Sequence, residues 1–132
     1  MMLLDTSGLL CLFHRAEAAH EVARQLFEST DWSLTHGYVL AEFVALGTAR
    51  GVGRREILAA VDTLLAIPYI EIVWIDEALH RRAMAFLHQR ADKTYSLADA
   101  VSFLLMSDRN LREALTTDHH FEQAGFIRLL RP

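Results

Sequence analysis

The 132-residue sequence contains one cysteine, one lysine and two prolines, and these scarcities exclude several classes of protein. A single cysteine cannot form an internal disulfide, and Cys11 lies in an apolar run that indicates a buried thiol rather than a nucleophile. The apolar runs stay well below the roughly 18 residues that a membrane span requires. The first residues also lack the basic segment and cleavage site of a secretion signal, so we expect a cytoplasmic protein with no membrane partner.

Positive charge is scarce as well, because 13 Lys and Arg stand against 17 Asp and Glu and give a net charge of -4. This balance excludes a protein that coats nucleic acid through its overall positive field. It does not exclude chemistry on nucleic acid, since every basic residue except Lys93 is an arginine, whose forked donors match phosphate geometry. Glycine-rich phosphate loops, internal repeats and low-complexity linkers are absent. The length and the 52% hydrophobic content predict a single packed domain over residues 1–132.

Short apolar segments alternate with amphipathic segments along the whole chain. Strands are predicted at residues 1–4, 32–35, 69–75, 114–117 and 126–130. Helices are predicted at residues 7–13, 18–27, 37–49, 54–67, 77–89, 100–106 and 121–124. Parallel neighbours need crossover helices that cover both faces of a sheet. The alternation therefore predicts an α/β fold, a three-layer α/β/α sandwich with a central parallel sheet.

Three aspartates lie where one predicted element gives way to the next. Asp5 follows the first strand, Asp118 follows the fourth, and Asp99 lies at the start of a helix that is apolar on nearly all sides. Ligands of parallel sheets bind beyond the carboxyl ends of the strands, so we expect these carboxylates to converge on one edge. Taken singly, each aspartate is also explained as a helix cap, with Asp99 as the acidic member of a capping box that Ser96 begins.

Glu42 is a fourth candidate, and a capping role does not explain it. It falls inside the predicted helix at residues 37–49, on the border of the apolar face. The ordinary explanation is that its long stem carries the carboxylate to solvent. Four convergent carboxylates would repel one another unless cations lay between them, and an all-oxygen cluster suits Mg²⁺ or Mn²⁺. Two interpretations stay open at this point, a metal site or a plain α/β domain with capped helices.

Each of the four acids lies in a short motif. The motifs, in order, are Leu3-Leu4-Asp5-Thr6-Ser7, Val39-Leu40-Ala41-Glu42, Ser96-Leu97-Ala98-Asp99-Ala100 and Leu115-Thr116-Thr117-Asp118 followed by Phe121. With spacings of 37, 57 and 19 residues between the acids, this set resembles the acidic motifs of the PIN-domain family, and of its VapC-type toxins in particular. The resemblance spans nearly the whole chain. It implies a metal-dependent ribonuclease with a parallel central sheet.

The resemblance also implies roles for individual residues. Four acids would be catalytic and would hold one or two Mg²⁺ or Mn²⁺ ions: Asp5, Glu42, Asp99 and Asp118. Three hydroxyl residues would orient these acids through hydrogen bonds: Thr6, Ser96 and Thr117. Where some members of the family have a further acid, this chain has His119 and His120, to which we assign surface or capping roles and no metal.

The resemblance implies three partners, namely an RNA substrate, a second copy of the chain in a homodimer, and a cognate antitoxin protein that inhibits the toxin. One alternative is a non-catalytic PIN-like interaction module whose acidic edge binds an arginine of a partner. A phosphotransfer receiver domain also gathers acids at strand ends. It is disfavoured because Lys93 lies in the loop before Asp99 and no lysine lies near a late strand.

Overall fold

The computed structural model describes residues 1–131, which form five strands and seven helices. The strands are β1 (Met2–Leu4), β2 (Ser33–His36), β3 (Ile70–Val73), β4 (Glu113–Leu115) and β5 (Ile127–Arg128). The helices are α1 (Thr6–Phe13), α2 (His20–Ser29), α3 (Gly37–Ala49), α4 (Arg54–Ala66), α5 (Glu77–His88), α6 (Leu97–Asp108) and α7 (His120–Gln123). Each predicted strand and helix is found in its predicted place, with ends that differ by no more than three residues.

The five strands form one parallel sheet in the order β3-β2-β1-β4-β5. The central strand is β1, in which Leu3 pairs with Leu34 of β2 on one side and with Ala114 of β4 on the other. The strand order therefore reverses between β1 and β4. In parallel sheets this reversal opens a crevice at the carboxyl ends of the two strands, which is where ligands bind.

Successive residues of β1 point into two different hydrophobic cores. Met2 and Leu4 pack with side chains from α1, α2, α3 and α4, whereas Leu3 packs with side chains from α5 and α6. Helices therefore cover both faces of the sheet, and the predicted three-layer α/β/α sandwich is confirmed. Cys11 is buried in the first of these cores, as expected of a structural thiol. In the part of the chain that the structure describes, no helix combines the length and the apolar character needed to cross a membrane.

A buried histidine joins the two helices that carry Glu42 and Asp99. His36 ends β2 and caps α3, where its Nδ1 accepts a hydrogen bond from the Val39 N–H at 3.4 Å. Its Nε2 lies 2.8 Å from Oγ of Ser102 on α6. Burial lowers the pKa of His36 to about 4, so the ring is neutral at pH 7 and Nε2 is the nitrogen that donates. This bond fixes α3 relative to α6 across the edge of the sheet.

Helix α1 lies against the backbone of β4 at a glycine. A Cβ atom built on Gly8 would lie 1.8 Å from the carbonyl oxygen of Leu115, a distance that no side chain can occupy. The chain therefore passes from β1 directly into a helix that touches the neighbouring strand. This close approach places Asp5, between β1 and α1, beside the residues that follow β4.

We expect Gly8→Ala to lower the free energy of unfolding by at least about 3 kcal/mol, because the added methyl group meets backbone that cannot yield. Gly37→Ala is the matched control. A Cβ atom there lies 3.3 Å from the ring of Trp74, which is 65% exposed and free to shift, so the change should stay within about 1 kcal/mol. Urea unfolding of both variants measures the difference, and equal losses would contradict the packing explanation.

Candidate metal centre

A cavity of about 410 Å³ opens at the carboxyl edge of the sheet, where β1 and β4 end. The side chains that line it come from four separate parts of the chain. They are Asp5, Thr6, Ser7, Glu42, Leu46, Thr94, Ser96, Asp99, Thr117, Asp118 and His120. All four acids singled out in the sequence therefore lie in this one cavity. No lysine or arginine lines it within residues 1–131.

Asp5 lies at the bottom of the cavity and is buried. Its backbone precedes α1 in the extended conformation of an N-cap, but its side chain makes no capping hydrogen bond. The carboxylate instead accepts a hydrogen bond from the hydroxyl of Thr116, with Oδ2 and Oγ1 2.8 Å apart. The interpretation of Asp5 as a side-chain cap is therefore wrong, and its carboxylate is turned toward β4.

The hydroxyl beside Asp5 belongs to Thr116 and not to Thr117. Thr116 is fully buried, and its Oγ1 also accepts the N–H of Asp118 at 3.0 Å. Among the described residues, the hydroxyl of Thr117 forms no hydrogen bond to an acid, although its N–H donates to Oγ of Ser7 at 3.0 Å. The hydrogen bond to an acid that we expected of Thr117 is therefore made by Thr116. Thr116 is the first residue after β4, and its hydroxyl turns toward Asp5 at the end of β1.

Glu42 reaches the cavity from α3. The residue is exposed at the mouth of the cavity, and its Oε1 accepts a hydrogen bond from Oγ1 of Thr6 at 3.1 Å. Thr6 is the first residue of α1, so this bond connects α1 to α3 above Asp5. The hydroxyl of Thr6 contacts an acid, as expected for this residue from the sequence.

Asp99 reaches the cavity from the first turn of α6, where it is buried. It forms the expected capping box with Ser96. Oγ of Ser96 accepts the N–H of Asp99, and Oδ2 of Asp99 accepts the N–H of Ser96, both at 3.0 Å. The capping interpretation is therefore correct for this pair, and it does not compete with a functional one. The same bonds that begin the helix also orient the carboxylate.

Asp118 lies two residues before the start of the short helix α7. Its Oδ1 accepts the N–H of His120 at 2.9 Å, a local bond that steadies the turn into the helix. The side chain of His120 then folds back into the cavity. Its Nδ1 lies 3.3 Å from Oδ1 of Asp118 and 3.2 Å from Oδ2 of Asp99.

The expectation that both histidines have surface or capping roles is correct only for His119, whose side chain is 64% exposed. The side chain of His120 is 15% exposed and touches two of the acids. Donor atoms of Asp99, Asp118 and His120 all lie within 4.8 Å of one another. The two rings lie close together, with centroids 4.6 Å apart, but only that of His120 lines the cavity. Helix α7 begins at His120, one residue before its predicted start.

The cavity holds its acids in an environment that opposes their ionisation. Burial raises the pKa of Asp5 to about 7, against the lowering effect of the Thr116 hydroxyl, and the charges of Asp99 and Asp118 raise it further. The pKa of Asp99 is raised chiefly by burial as well, and partial desolvation of the carboxylate does the same for Glu42. A bound cation would remove this penalty. The electrostatics therefore fit a metal ion at this place.

Comparison with known proteins agrees with this geometry. A family model described as PIN domain matches residues 2–127. The chain belongs to the PIN-domain family. The resemblance drawn from the four acidic motifs is thereby confirmed, and the five-stranded parallel sheet is the fold of this PIN domain.

Relatives of this PIN domain include VapC-type toxins. The 23S rRNA-specific endonuclease VapC20 of Mycobacterium tuberculosis is 30% identical to it over 128 residues, which are 96% of each chain. The crystal structure of Mycobacterium tuberculosis VapC20, a Sarcin-Ricin loop cleaving toxin, superposes with a TM-score of 0.87 at 27% identity over the full length of both chains. A chain of a toxin–antitoxin complex from Klebsiella pneumoniae shares the fold, with a TM-score of 0.67 at 17% identity over both full chains.

Asp5→Asn should stabilise the metal-free protein at high pH only. The unfolded chain loses its Asp5 proton near pH 4, whereas the folded chain retains it to about pH 7. Wild type therefore loses stability as pH rises through this window, and the asparagine variant does not. The variant should gain roughly 3 to 4 kcal/mol over wild type between pH 4 and pH 8 in urea unfolding.

Asp62→Asn on α4 is the control for this measurement, because Asp62 is exposed and lies outside the cavity. It shows what the same chemical change does to the free energy of unfolding outside the cavity. A difference between Asp5→Asn and wild type that is independent of pH would contradict the raised pKa of Asp5.

Thr116→Val and Thr117→Val distinguish the two hydroxyls. The Thr116 hydroxyl lowers the pKa of Asp5, so its removal should raise that pKa further. Thr117→Val should leave the pKa of Asp5 at its wild-type value, because no hydrogen bond joins the two side chains in the described part of the chain. Carboxyl-carbon NMR titration in metal-free buffer measures both. Equal shifts in the two variants would contradict the assignment of Thr116.

Proposed function

We propose that this PIN domain is a VapC-type endoribonuclease that hydrolyses RNA phosphodiester bonds at the acidic cavity with the aid of Mg²⁺ or Mn²⁺. The single observation that carries the proposal is that four carboxylates line one cavity, which no lysine or arginine lines within the described residues. The kinship with VapC20, which is named an endonuclease, supports the same activity.

The donor set fits a hard divalent cation. Mg²⁺ and Mn²⁺ prefer carboxylate oxygens, and each carboxylate has about four lone-pair sites. One or two hydrogen bonds from the protein leave most of these sites available to an ion. We assign metal binding to Asp5, Glu42, Asp99 and Asp118. When bound, the metal supplies a water of lowered pKa and neutralises charge that develops on the phosphate.

The protein also holds the acids in place before the substrate arrives. Oγ1 of Thr116 fixes Asp5, Oγ1 of Thr6 fixes Glu42, and the capping box fixes Asp99. Groups fixed in this way need not reorganise during the reaction, and such preorganisation is the usual source of electrostatic catalysis. We therefore assign Thr6, Ser96 and Thr116 as residues that position the acids.

A serine nucleophile is not part of the proposed mechanism. Oγ of Ser7 accepts the N–H of Thr117 and lies 3.2 Å from Oγ1 of Thr116. Within residues 1–131 Ser7 has no hydrogen bond to a histidine, so the general base that would activate a serine nucleophile is missing from its surroundings. Hydrolysis by an activated water is the chemistry that this cavity favours.

We propose 23S rRNA, and its Sarcin-Ricin loop in particular, as the substrate to test first. The support is the likeness to VapC20, which is named 23S rRNA-specific and whose structure is described as that of a Sarcin-Ricin loop cleaving toxin. The 30% identity is measured over 96% of both chains, so the similarity is not confined to one segment. Cleavage of this RNA would take place in the cytoplasm.

We also propose a cognate antitoxin and a homodimer as partners. The toxin–antitoxin complex from Klebsiella pneumoniae contains a chain of the same fold, which supports an antitoxin. Large apolar side chains are exposed on α4 at Leu58 and Leu65 and after β3 at Trp74. The two on α4 favour the region of residues 38–67 as part of an interface.

The test is cleavage of a Sarcin-Ricin loop RNA by wild type, Asp99→Asn and the control Asp62→Asn, with Mg²⁺ or Mn²⁺. Asp99→Asn should lower the rate by at least about 100-fold, because losing a ligand should cost more than the 10- to 100-fold typical of residues that support ligands. Asp62→Asn should cleave at the wild-type rate. Addition of EDTA should abolish cleavage by both active proteins.

Stability measurements separate a ligand from a helix cap. Loss of a cap alone costs about 1 kcal/mol, and asparagine retains an acceptor oxygen for the Ser96 N–H. Asp99→Asn should therefore stay folded while losing activity. Equal cleavage by wild type and Asp99→Asn would overturn the proposal. Binding of RNA or of an arginine-containing partner with no turnover at any metal concentration would favour the non-catalytic interaction module instead.

A further inference from the structure

His120 occupies the position between two of the proposed metal ligands. Its Nδ1 lies 3.2 Å from Oδ2 of Asp99 and 3.3 Å from Oδ1 of Asp118. Donors on adjacent positions of an octahedral ion with bonds of about 2.1 Å are roughly 3 Å apart. The spacing of Nδ1 from each carboxylate oxygen is therefore that of two neighbouring ligands of a single ion, and donor atoms of all three residues lie within 4.8 Å of one another.

The other ring nitrogen of His120 is held by the protein. Its Nε2 lies 2.9 Å from Oγ1 of Thr94, and the ring makes an edge-to-face contact with Tyr95 at 5.4 Å between centroids. Histidines that bind metal almost always donate their second N–H to a nearby acceptor, which selects the tautomer and fixes the plane of the ring. With the proton on Nε2 and donated to Thr94, Nδ1 presents its lone pair to the space that it shares with the two acids.

We infer that His120 is a nitrogen ligand of the metal, alongside Asp99 and Asp118, and that it makes the site prefer Mn²⁺ to Mg²⁺. The inference rests on the metal site of the proposed function and adds a ligand that the four acidic motifs do not contain. Mg²⁺ takes oxygen ligands and dehydrates reluctantly, whereas first-row transition ions accept imidazole. An imidazole in the first coordination shell should therefore favour Mn²⁺.

A positioning role is the competing explanation for the same contacts. In that case Nδ1 would carry a proton and donate hydrogen bonds to the two acids. His120 would then affect the binding of either metal only by orienting Asp99 and Asp118. Both explanations predict weaker metal binding when His120 is removed. They differ in whether a nitrogen atom coordinates the ion. They also differ in whether the loss of metal affinity in a variant without His120 depends on which ion is bound.

The experiment is pulsed EPR of Mn²⁺ bound to the full chain, together with titrations of free Mn²⁺ and competition by Mg²⁺. Wild type should show the electron spin echo modulation of directly bound ¹⁴N. His120→Ala should lack this modulation and bind Mn²⁺ at least about tenfold more weakly. Its affinity for Mg²⁺ should change by less than about threefold, because Mg²⁺ is held by oxygen.

His88→Gln is the matched control, since His88 is an exposed histidine at the end of α5 and does not line the cavity. It should retain the nitrogen modulation and both affinities. Bound Mn²⁺ without nitrogen modulation in wild type would overturn the inference, and this measurement needs no variant to fold. Equal losses for Mn²⁺ and Mg²⁺ in His120→Ala would overturn it in favour of a positioning role.

The outcome is independent of RNA cleavage. Nitrogen modulation in a protein that cleaves no RNA would support His120 as a ligand while overturning the proposed ribonuclease activity. Cleavage that depends on Mn²⁺, with no nitrogen modulation, would support the ribonuclease and overturn the role of His120. A wild type that binds neither ion would overturn both.

Discussion

The parallel pairing of β1 with β4 determines where the acids of the cavity lie. Leu4 is in register with Leu115, and the N–H of Asp5 donates to the carbonyl oxygen of Leu115 at 3.2 Å. The last ladder bond therefore joins the two strands at the point where their carboxylate-bearing segments begin. Gly8 lets α1 follow without pushing the strands apart. From this one junction Asp5 and Asp118 emerge side by side, and α3 and α6 need only bring their acids to the same edge.

Burial at this junction destabilises the ionised form of Asp5. Ionised Asp5 is surrounded by apolar strands and by other acids, and its pKa rises to about 7 as a result. A protein selected for stability alone would gain by replacing that carboxylate with a neutral group. The hydrogen bonds from Thr116, Thr6 and Ser96 offset part of the penalty, and they also give each carboxylate a single orientation. A bound cation would remove most of the remainder.

Much of this arrangement could be predicted from the sequence, because it depends on periodicity. Buried parallel strands appear as short apolar runs and covering helices as amphipathic segments, so the order of elements and the acids at their ends were evident. The details that depend on a single residue were not. Thr116 and Thr117 have the same chemistry, and only the path of the chain after β4 decides which hydroxyl turns toward Asp5.

His120 was missed for a similar reason. A four-residue helix has no periodicity to set its phase, so the sequence does not show which of two adjacent histidines lines the cavity. Two signals near it were available. Asp118 two residues earlier favours a tight turn, and the apolar Phe121 one residue later enters the core.

The insertion of β4 beside β1 also has a consequence for biosynthesis. The acids lie at residues 5, 42, 99 and 118, so the cavity unites segments from nearly the whole length of the chain. Loop-closure entropy must be overcome across more than a hundred residues before the first strand meets the fourth. A nascent chain that has not yet released residue 118 from the ribosome cannot contain the cavity, however well its earlier helices have formed. The cavity therefore forms only after translation of the domain is nearly complete.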